Sequence, residues 1–209
     1  MILETLTVGK MQENCYLAGD PKALLVIDPG DEAEKIIAHI REKEYCVAYI
    51  VLTHCHYDHI GAVADVLEAT GAKLVIGKAE RDNYFDRHVS LCGYFASMPK
   101  LCEPDALLAD GDVIMAGAYN FTAITTPGHT SGSLCLLCGR TLFSGDTLFY
   151  GSIGRADFPS GNLKTLVHSV KDKLFTLPDD VRVYPGHGCS TTIGYEKEYN
   201  EVYEWEKHC

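Results

Sequence analysis

The sequence predicts an α/β protein built as a four-layer αββα sandwich, with two β-sheets packed face to face and helices outside them. Two observations lead to this prediction. Short strand-like segments followed by helical segments occur in the first half of the chain, and the same order returns in the second half. A length of 209 residues suits one large domain with a substantial core. We therefore expect a single domain over residues 1–209.

The first half begins with a small antiparallel meander. Its strands are expected at residues 6–8, 15–18 and 23–27, because turn residues separate these apolar runs. A helix is expected over residues 31–44, with acidic residues in its first turn and Ile36, Ile37 and Ile40 on one face. A buried strand at 47–52, a helix through Ile60 and Leu67, and a strand at 73–76 follow.

Residues 78–105 have no clean period and many aromatic and apolar side chains. We interpret them as a helical insertion, and two roles stay open for it: a lid over a site or a contact in a homodimer. Beyond it, strands are expected at 113–115, 119–125, 133–137 and 141–144. A helix at 162–175, a strand at 181–184 and a helix from about residue 192 complete the chain.

One short stretch, residues 53–61, contains His54, His56, Asp58 and His59 directly after the buried strand. In an extended segment, residues two apart point the same way at a distance of about 7 Å, so His54 and His56 can converge on one metal ion. Asp58 and His59 turn into the helix and diverge from that pair, which suits a second ion. Imidazole and carboxylate ligands fit Zn²⁺, and also Fe or Mn.

Three later junctions place a His or Asp just past a strand and beside a glycine. They carry His129 in 127–130 (PGHT), Asp146 in 144–147 (SGDT) and His187 in 185–188 (PGHG). A lone His in a turn is usually only hydrogen-bonded or solvated, but three such junctions added to the HxHxDH cluster indicate one shared site.

Charge and composition narrow the partners. Lys and Arg number 18 against 29 Asp and Glu, so a formal charge of −11 disfavours nucleic acid. No apolar run approaches a membrane span, and the N-terminus lacks a signal-peptide pattern, so we expect a cytoplasmic protein that does not bind membranes. The nine cysteines are expected to be reduced. Cys135 and Cys138 are interpreted as core thiols on opposite strand faces, and Cys55 is expected to point away from the metal.

These motifs, with the early Asp28, resemble the metallo-β-lactamase superfamily in order and context over nearly the full chain. The segment 145–155 resembles the glyoxalase II-like, hydroxyacylglutathione hydrolase group in a short form. Only about twenty residues follow His187, so the C-terminal glutathione-binding domain of longer members is expected to be absent.

The resemblance implies a set of seven metal ligands for two divalent ions, expected to be Zn with Fe or Mn as alternatives. The first ion would be held by His54, His56 and His129, the second by Asp58, His59 and His187, with Asp146 bridging both. Two such cations contribute +4, while Asp58, Asp146 and a hydroxide contribute −3, so the centre would stabilise an oxyanion.

The implied reaction is hydrolysis of a small thioester by hydroxide formed from metal-bound water, whose pKa falls to about 7. Asp58 and Asp146 would be the catalytic carboxylates. Asp28 would support the ligand loops, and Arg155 would hold an anionic group of the substrate. A structural salt bridge is the alternative for Arg155. The acyl group and the thiol, whether glutathione or another, stay open.

One segment of the sequence also resembles enzymes of a different functional class. Residues 154–158 resemble the persulfide dioxygenases, in which one Fe(II) is held by two His and one Asp, and His54, His129 and Asp146 could supply that set. Tyr57, after His56 as in the hydrolases, favours the thioesterase. A metal-dependent binding module is a third reading, which a full ligand set with an open bridging position disfavours.

Overall fold

The computed structural model describes residues 1–206 of the chain. Its strands, in chain order, are β1 (Ile2–Val8), β2 (Glu13–Asp20), β3 (Ala23–Ile27), β4 (Val47–Leu52), β5 (Lys73–Gly77), β6 (Ala106–Leu108), β7 (Val113–Ala116), β8 (Tyr119–Thr125), β9 (Leu134–Cys138), β10 (Thr141–Gly145), β11 (Leu148–Phe149), β12 (Ser152–Ile153), β13 (Arg182–Pro185) and β14 (Thr191–Thr192).

Two six-stranded sheets and a two-stranded hairpin account for these strands. The first sheet has the order β1-β2-β3-β4-β5-β6: its first three strands form the expected antiparallel meander, and β3 to β6 run parallel. The second has the order β14-β13-β10-β9-β8-β7 and is antiparallel except for the β10–β13 pair. Strands β11 and β12 pair only with each other.

The helices are α1 (Ala33–Glu42), α2 (Tyr57–Ile60), α3 (Val63–Thr70), α4 (Arg81–Phe85), α5 (Cys92–Phe95), α6 (Leu163–His168), α7 (Ile193–Tyr199) and α8 (Val202–Glu206). A 3-10 turn precedes α4 at Lys78–Glu80. After α6 the chain continues as a π-helical turn, Ser169–Lys173, and a 3-10 turn, Leu174–Thr176.

Three buried apolar layers confirm the four-layer sandwich. Between the sheets, Leu25 and Val51 of the first sheet share one cluster with Phe121 and Phe143 of the second. The outer face of the first sheet packs against α1 and α3, and the outer face of the second packs against α6, the π turn and α8. Because each sheet is covered on both faces, the site is left to the loops at the strand ends.

The helix expected to run from Asp58 through Leu67 is interrupted, which corrects the sequence interpretation. It divides into α2 and α3 at Gly61 and Ala62. A β-carbon on Gly61 would lie 2.3 Å from the carbonyl oxygen of Gly30, and the Ala62 amide donates to the Pro29 carbonyl at 3.0 Å. The break therefore allows the 28–30 loop to pack against the helical segment.

The insertion 78–105 contains the 3-10 turn, α4 and α5, and its remaining residues are loops. Leu91 and Phe95 of this segment line the cavity over the ligand cluster. The strand β6 that follows was missed by the sequence analysis, as were β11, β12 and β14. Three or fewer residues per strand give no measurable period.

The cysteines lie as expected where they are described. Cys135 packs between the second sheet and its helices, while Cys138 packs between the two sheets, so the pair occupies opposite strand faces. Cys55 is buried among the residues of the first outer layer. All eight cysteines within residues 1–206 are free, and Cys209 lies outside the described residues. No helix in that part of the chain is long and apolar enough to cross a membrane.

Candidate metal centre

The sequence-predicted site residues lie together where strands of both sheets end. His54, His56, Asp58 and His59 follow β4, and Asp28 follows β3 in the first sheet. In the second sheet, His129 lies beyond β8, Asp146 directly after β10, and His187 two residues after the end of β13. The β4, β10 and β13 ends are carboxyl ends of parallel-paired strands, the usual place for functional groups in α/β folds.

The first group consists of three buried imidazoles. One nitrogen from each of His54, His56 and His129 lies within 4.8 Å of the others. The closest pair is His129 Nε2 and His56 Nδ1, 2.9 Å apart. Three neutral imidazole nitrogens at this separation can face one cation.

The second group is Asp58, His59 and His187, again with one ligand atom each within 4.8 Å of the others. His187 Nε2 lies 3.3 Å from Asp58 Oδ2. Asp146 stands between the two groups: its Oδ1 is 3.4 Å from His59 Nε2, and its Oδ2 is 3.6 Å from His129 Nε2. That each group holds one ion and that Asp146 bridges them stay predictions.

The hydrogen bonds of the rings decide which nitrogen can bind a metal. The Nδ1–H of His129 donates to the Arg155 carbonyl at 2.6 Å, that of His59 to Asp28 at 3.0 Å, and that of His187 to the Met11 carbonyl at 3.1 Å. With Nδ1–H donated in this way, Nε2 is the nitrogen that can bind a metal ion, which displaces any proton held there. All three rings therefore present Nε2 to the cluster, as metal-ligating histidines do.

Several buried polar atoms of the cluster have no hydrogen-bond partner within the described chain. They are His54 Nε2, His56 Nε2, His59 Nε2 and Asp146 Oδ1. Such atoms are costly unless something binds them. The space is also tight, because a β-carbon on Gly186 would lie 2.3 Å from Asp146 Oδ1 and 2.7 Å from His59 Cε1. These residues fit divalent metal ions.

Burial and neighbouring charge set the protonation of the cluster. Burial, with the neighbouring imidazoles, lowers the pKa of His54 well below its usual value and that of His56 to about 3, so both rings are neutral. Burial alone would lower the pKa of His59, but Asp146 and Asp28 outweigh it and raise that pKa. Burial would raise the pKa of Asp146, but the histidine charges, His59 foremost, hold it well below its usual range. The carboxylate is therefore ionised and available to cations.

Asp28 connects the two ligand loops of the first sheet. It adopts a left-handed backbone conformation, with φ of 51°, and its Oδ1 accepts the Thr53 amide at 2.7 Å. Its Oδ2 accepts the Thr53 hydroxyl as well as His59 Nδ1. Asp28 also lies within ligand distance of His54 and His59, but these hydrogen bonds already occupy its oxygens. We interpret it as a support for the ligand loops.

Two buried glutamates and one asparagine were missed by the sequence analysis. Glu80 accepts the Cys55 amide at 2.9 Å and the Thr130 hydroxyl at 2.8 Å, so it joins the loops that carry His54, His56 and His129. Asn14 donates from its side chain to the Pro185 and Gly188 carbonyls, which holds the loop of His187. No local motif marks either residue, since their partners are distant in sequence.

The other buried glutamate, Glu13, lies beside the second group. Its Oε1 is 3.9 Å from His59 Nδ1, and neither carboxyl oxygen has a hydrogen-bond partner within the described chain. Burial raises the pKa of Glu13 well above its usual value, which favours the neutral acid.

Arg155 lies at the rim of the cluster. Its guanidinium forms two hydrogen bonds with the Asp157 carboxylate, at 2.9 and 2.8 Å, and lies 4.1 Å from the centre of the Phe158 ring. Its backbone carbonyl accepts from His129, as described above. These contacts favour the structural alternative that the sequence left open for this residue.

An open cavity of about 430 Å³ lies over the cluster and reaches His56, Asp58, His129, Asp146 and His187. Buried imidazoles and carboxylates at the shared edge of two packed sheets, open to a cavity, define a metal-binding α/β enzyme.

The comparison with known proteins gives the family. The sequence model of the Metallo-beta-lactamase superfamily matches residues 8–187. The chain therefore belongs to this superfamily of metallo-hydrolases. A relative is the hydroxyacylglutathione hydrolase GloC of Haemophilus influenzae, 36% identical, with 96% of this chain and 97% of GloC covered.

Solved structures agree with this assignment. BLEG-1 B3 metallo-beta-lactamase superimposes with a TM-score of 0.90 and 32% identity, covering 95% of this chain and 98% of BLEG-1. TTHA1623 in a di-iron-bound form superimposes with a TM-score of 0.84 and 35% identity, covering 94% of this chain and 98% of TTHA1623. ETHE1 from Myxococcus xanthus superimposes with a TM-score of 0.80 and 32% identity, covering 96% of this chain and 83% of ETHE1.

Proposed function

We propose that the protein is a binuclear metal-dependent hydrolase of small thioesters, of the hydroxyacylglutathione hydrolase type. The observation that carries the proposal is the pairing of two ligand groups around Asp146, because a single-ion enzyme would leave Asp58, His59 and His187 without an ion to bind. The likeness to GloC over nearly the whole chain supports the substrate class.

In this proposal His54, His56 and His129 would hold the first ion, Asp58, His59 and His187 would hold the second, and Asp146 would contribute to both sites. When bound, two divalent ions supply a water acidic enough to ionise near pH 7 and a positive field for the carbonyl oxygen. The Nδ1–H bonds of His129, His59 and His187 keep their rings oriented during the reaction. Asp58, at the cavity wall, orients the attacking water.

Among residues 1–206, no Ser, Thr, Cys or Lys side chain lines the cavity over the cluster. Cys55 is buried in the core, and burial, with Glu80 beside it, raises the pKa of its thiol well above the usual value. An inaccessible, protonated thiol does not attack a carbonyl. This supports water as the nucleophile, with the thiol of the substrate as leaving group.

A mononuclear Fe(II) persulfide dioxygenase is the second candidate. The segment 154–158 and the structural likeness to ETHE1 favour it. If this protein is a dioxygenase, His54, His129 and Asp146 would hold the iron. The second ligand group would then have only a structural role.

One experiment separates the candidates: metal content per chain, with activity measured on the same purified sample. We expect about two ions per chain, Zn or a mixture with Fe or Mn, and hydrolysis of S-lactoylglutathione. One Fe per chain, with O₂ uptake on glutathione persulfide and no hydrolysis, would establish the dioxygenase instead. A β-lactam belongs in the same panel because of the likeness to BLEG-1.

The variant His129→Ala tests the site assignment. We expect loss of metal from the first group together with loss of turnover, because the ring is a proposed ligand. Full metal occupancy with unchanged turnover would refute the assignment. The control is His168→Ala, which removes an exposed imidazole that is paired with Asp172 and does not line the cavity over the cluster.

A further inference from the structure

The walls of the cavity above the cluster are mostly apolar. Met11 comes from the loop between β1 and β2, Leu91 and Phe95 from the insertion, and Phe149 and Phe158 from the segment after β10. The Phe158 ring packs edge-on against His56 at 5.7 Å, and the Phe149 ring against His187 at 6.3 Å. Apolar groups therefore border both ligand groups.

Positive charge for an anionic substrate is scarce in these walls. Among residues 1–206, Arg155 is the one Lys or Arg that lines this cavity, and its guanidinium is paired with the Asp157 carboxylate. Another cation, Lys10, lines the adjoining depression together with Asp31 and Asp58. The formal charge of −11 for the whole chain adds no attraction for anions.

We propose that this cavity selects thioesters of uncharged, apolar thiols over those of thiols that carry free carboxylates, such as glutathione. The inference rests on the proposed thioester hydrolase function and names its substrate class. A carboxylate on the thiol portion of the substrate, held by the walls rather than by the metal-binding residues, would lose water without gaining an unpaired Lys or Arg. An aliphatic or aromatic group there would bury apolar surface against the five side chains above.

The reaction on such a substrate is ordinary hydrolysis. The oxygen of water forms a bond to the acyl carbon, the carbon–sulfur bond breaks, and the thiolate departs. The products are a carboxylate, a thiol and one proton. No oxidant or further co-reactant is required.

The test uses four thioesters on one metal-loaded preparation. Three are S-acetyl thioesters. Their thiols are benzyl mercaptan, which is apolar, N-acetylcysteamine, which is small and neutral, and 3-mercaptopropionate, which is small and anionic. S-lactoylglutathione is the fourth. Each kcat/KM is divided by the rate of alkaline hydrolysis of the same ester, which removes differences in leaving-group reactivity.

We expect the benzyl ester to exceed the 3-mercaptopropionate ester by about tenfold or more, chiefly through KM, with N-acetylcysteamine between them. Equal or reversed values would overturn the inference and leave the thioesterase in place. Hydrolysis of none of the four would overturn the proposed function and the inference with it.

A pair of variants tests the wall itself. Phe95 and Tyr94 are neighbours with the same exposure, 62%, but only Phe95 lines the cavity. We expect Phe95→Ala to lower kcat/KM for the benzyl ester several-fold and to leave the N-acetylcysteamine ester within twofold. Tyr94→Ala should leave both esters unchanged. An equal effect of both variants, or none from Phe95→Ala, would exclude this wall as the source of selectivity.

Discussion

Glu80 joins the two loops that present the first group of imidazoles. Its Oε1 accepts from the backbone between His54 and His56 and from the hydroxyl next to His129, and its Oε2 accepts from Asn83 at 2.7 Å. It is buried, so water cannot replace these bonds. The carboxylate thereby fixes the spacing of rings contributed by two different sheets.

The variant Glu80→Ala should weaken metal binding about 10-fold to 100-fold, since groups that orient ligands have effects of this size. It should also lower the free energy of unfolding by about 2–4 kcal/mol, because the Cys55 amide and the Thr130 hydroxyl would be left buried without their acceptor. Chelator competition measures the affinity, and urea unfolding measures the stability.

Glu68→Gln is the control for Glu80→Ala. Glu68 is 77% exposed and paired only with Lys100 at the surface, so both measurements should match the unmodified protein. Unchanged metal affinity in Glu80→Ala, in a protein that still folds, would show that Glu80 does not position the ligands.

Asp157 is predicted to control how Arg155 meets a substrate. Asp157→Asn would leave the guanidinium with its charge but without its carboxylate partner. We expect kcat/KM for an anionic thioester to rise about two- to fivefold, a modest gain because both side chains are exposed to water. A neutral thioester should not respond.

The control for Asp157→Asn is Asp82→Asn, which breaks another exposed pair, with Arg81. Asp82→Asn should leave kcat/KM unchanged for both the anionic and the neutral thioester. If Asp157→Asn also leaves the anionic ester unchanged, the Arg155 guanidinium does not reach the substrate, and its role is confined to the loop.

The convergence of His54 and His56 was predictable from sequence because alternation along an extended segment is a local property. Glu80 was not. Its acceptor contacts connect it to residues 25 and 50 positions away, and only the packing of two sheets brings them together. A lone Glu in an aperiodic segment carries no sign of such a role.

At the scale of elements, β1 and α1 are joined by a partly exposed hydrogen bond. His39 of α1 lies 2.5 Å from Glu4 of β1, and the Tyr45 hydroxyl donates to the same carboxylate at 2.8 Å. The hydrogen bond with His39 is the largest cause that lowers the pKa of Glu4 below its usual 4.5. A depressed carboxyl pKa stabilises the fold above the unfolded value, and this stability is lost as the pH falls through the folded pKa.

Glu4→Gln should therefore be less stable than the unmodified protein at pH 7, and the difference should shrink as the pH falls through the folded pKa of Glu4. The loss at pH 7 should be about 0.5–1 kcal/mol, since the pair is partly exposed. Urea midpoints of the two proteins, compared at each pH, provide the measurement. A difference in urea midpoint that does not change with pH would show that ionisation of Glu4 does not contribute to stability.

Element boundaries were predictable where periodicity was long and failed where tertiary contact decided them. The meander and β4 follow from apolar runs and turn residues. The break at Gly61 depends on the approach of Gly30, and the unwinding of the helix after His168 into a π turn likewise has no local signal. Neither can be read from a single segment.

For the whole molecule, the cluster connects the two sheets. Each proposed ligand group draws residues from both: His54 and His56 with His129, and Asp58 and His59 with His187. The order of strands and helices was enough to predict the sandwich. Which loops meet at its edge followed from the motifs, because each lies at a strand end. Metal binding should therefore resist separation of the sheets.

Removal of metal is predicted to lower the melting temperature. An ion present at 100 times its dissociation constant stabilises the native state by about 2.7 kcal/mol, and a chain of this size shifts by about 2–4 °C per kcal/mol, so each site lost should cost about 5–10 °C. Thermal unfolding before chelation, after it and after metal return is the measurement. The double variant His54→Ala/His187→Ala, which lacks a ligand in each group, should not respond to chelator. A melting temperature that stays constant while metal analysis shows complete removal would mean that the ions do not hold the sheets together.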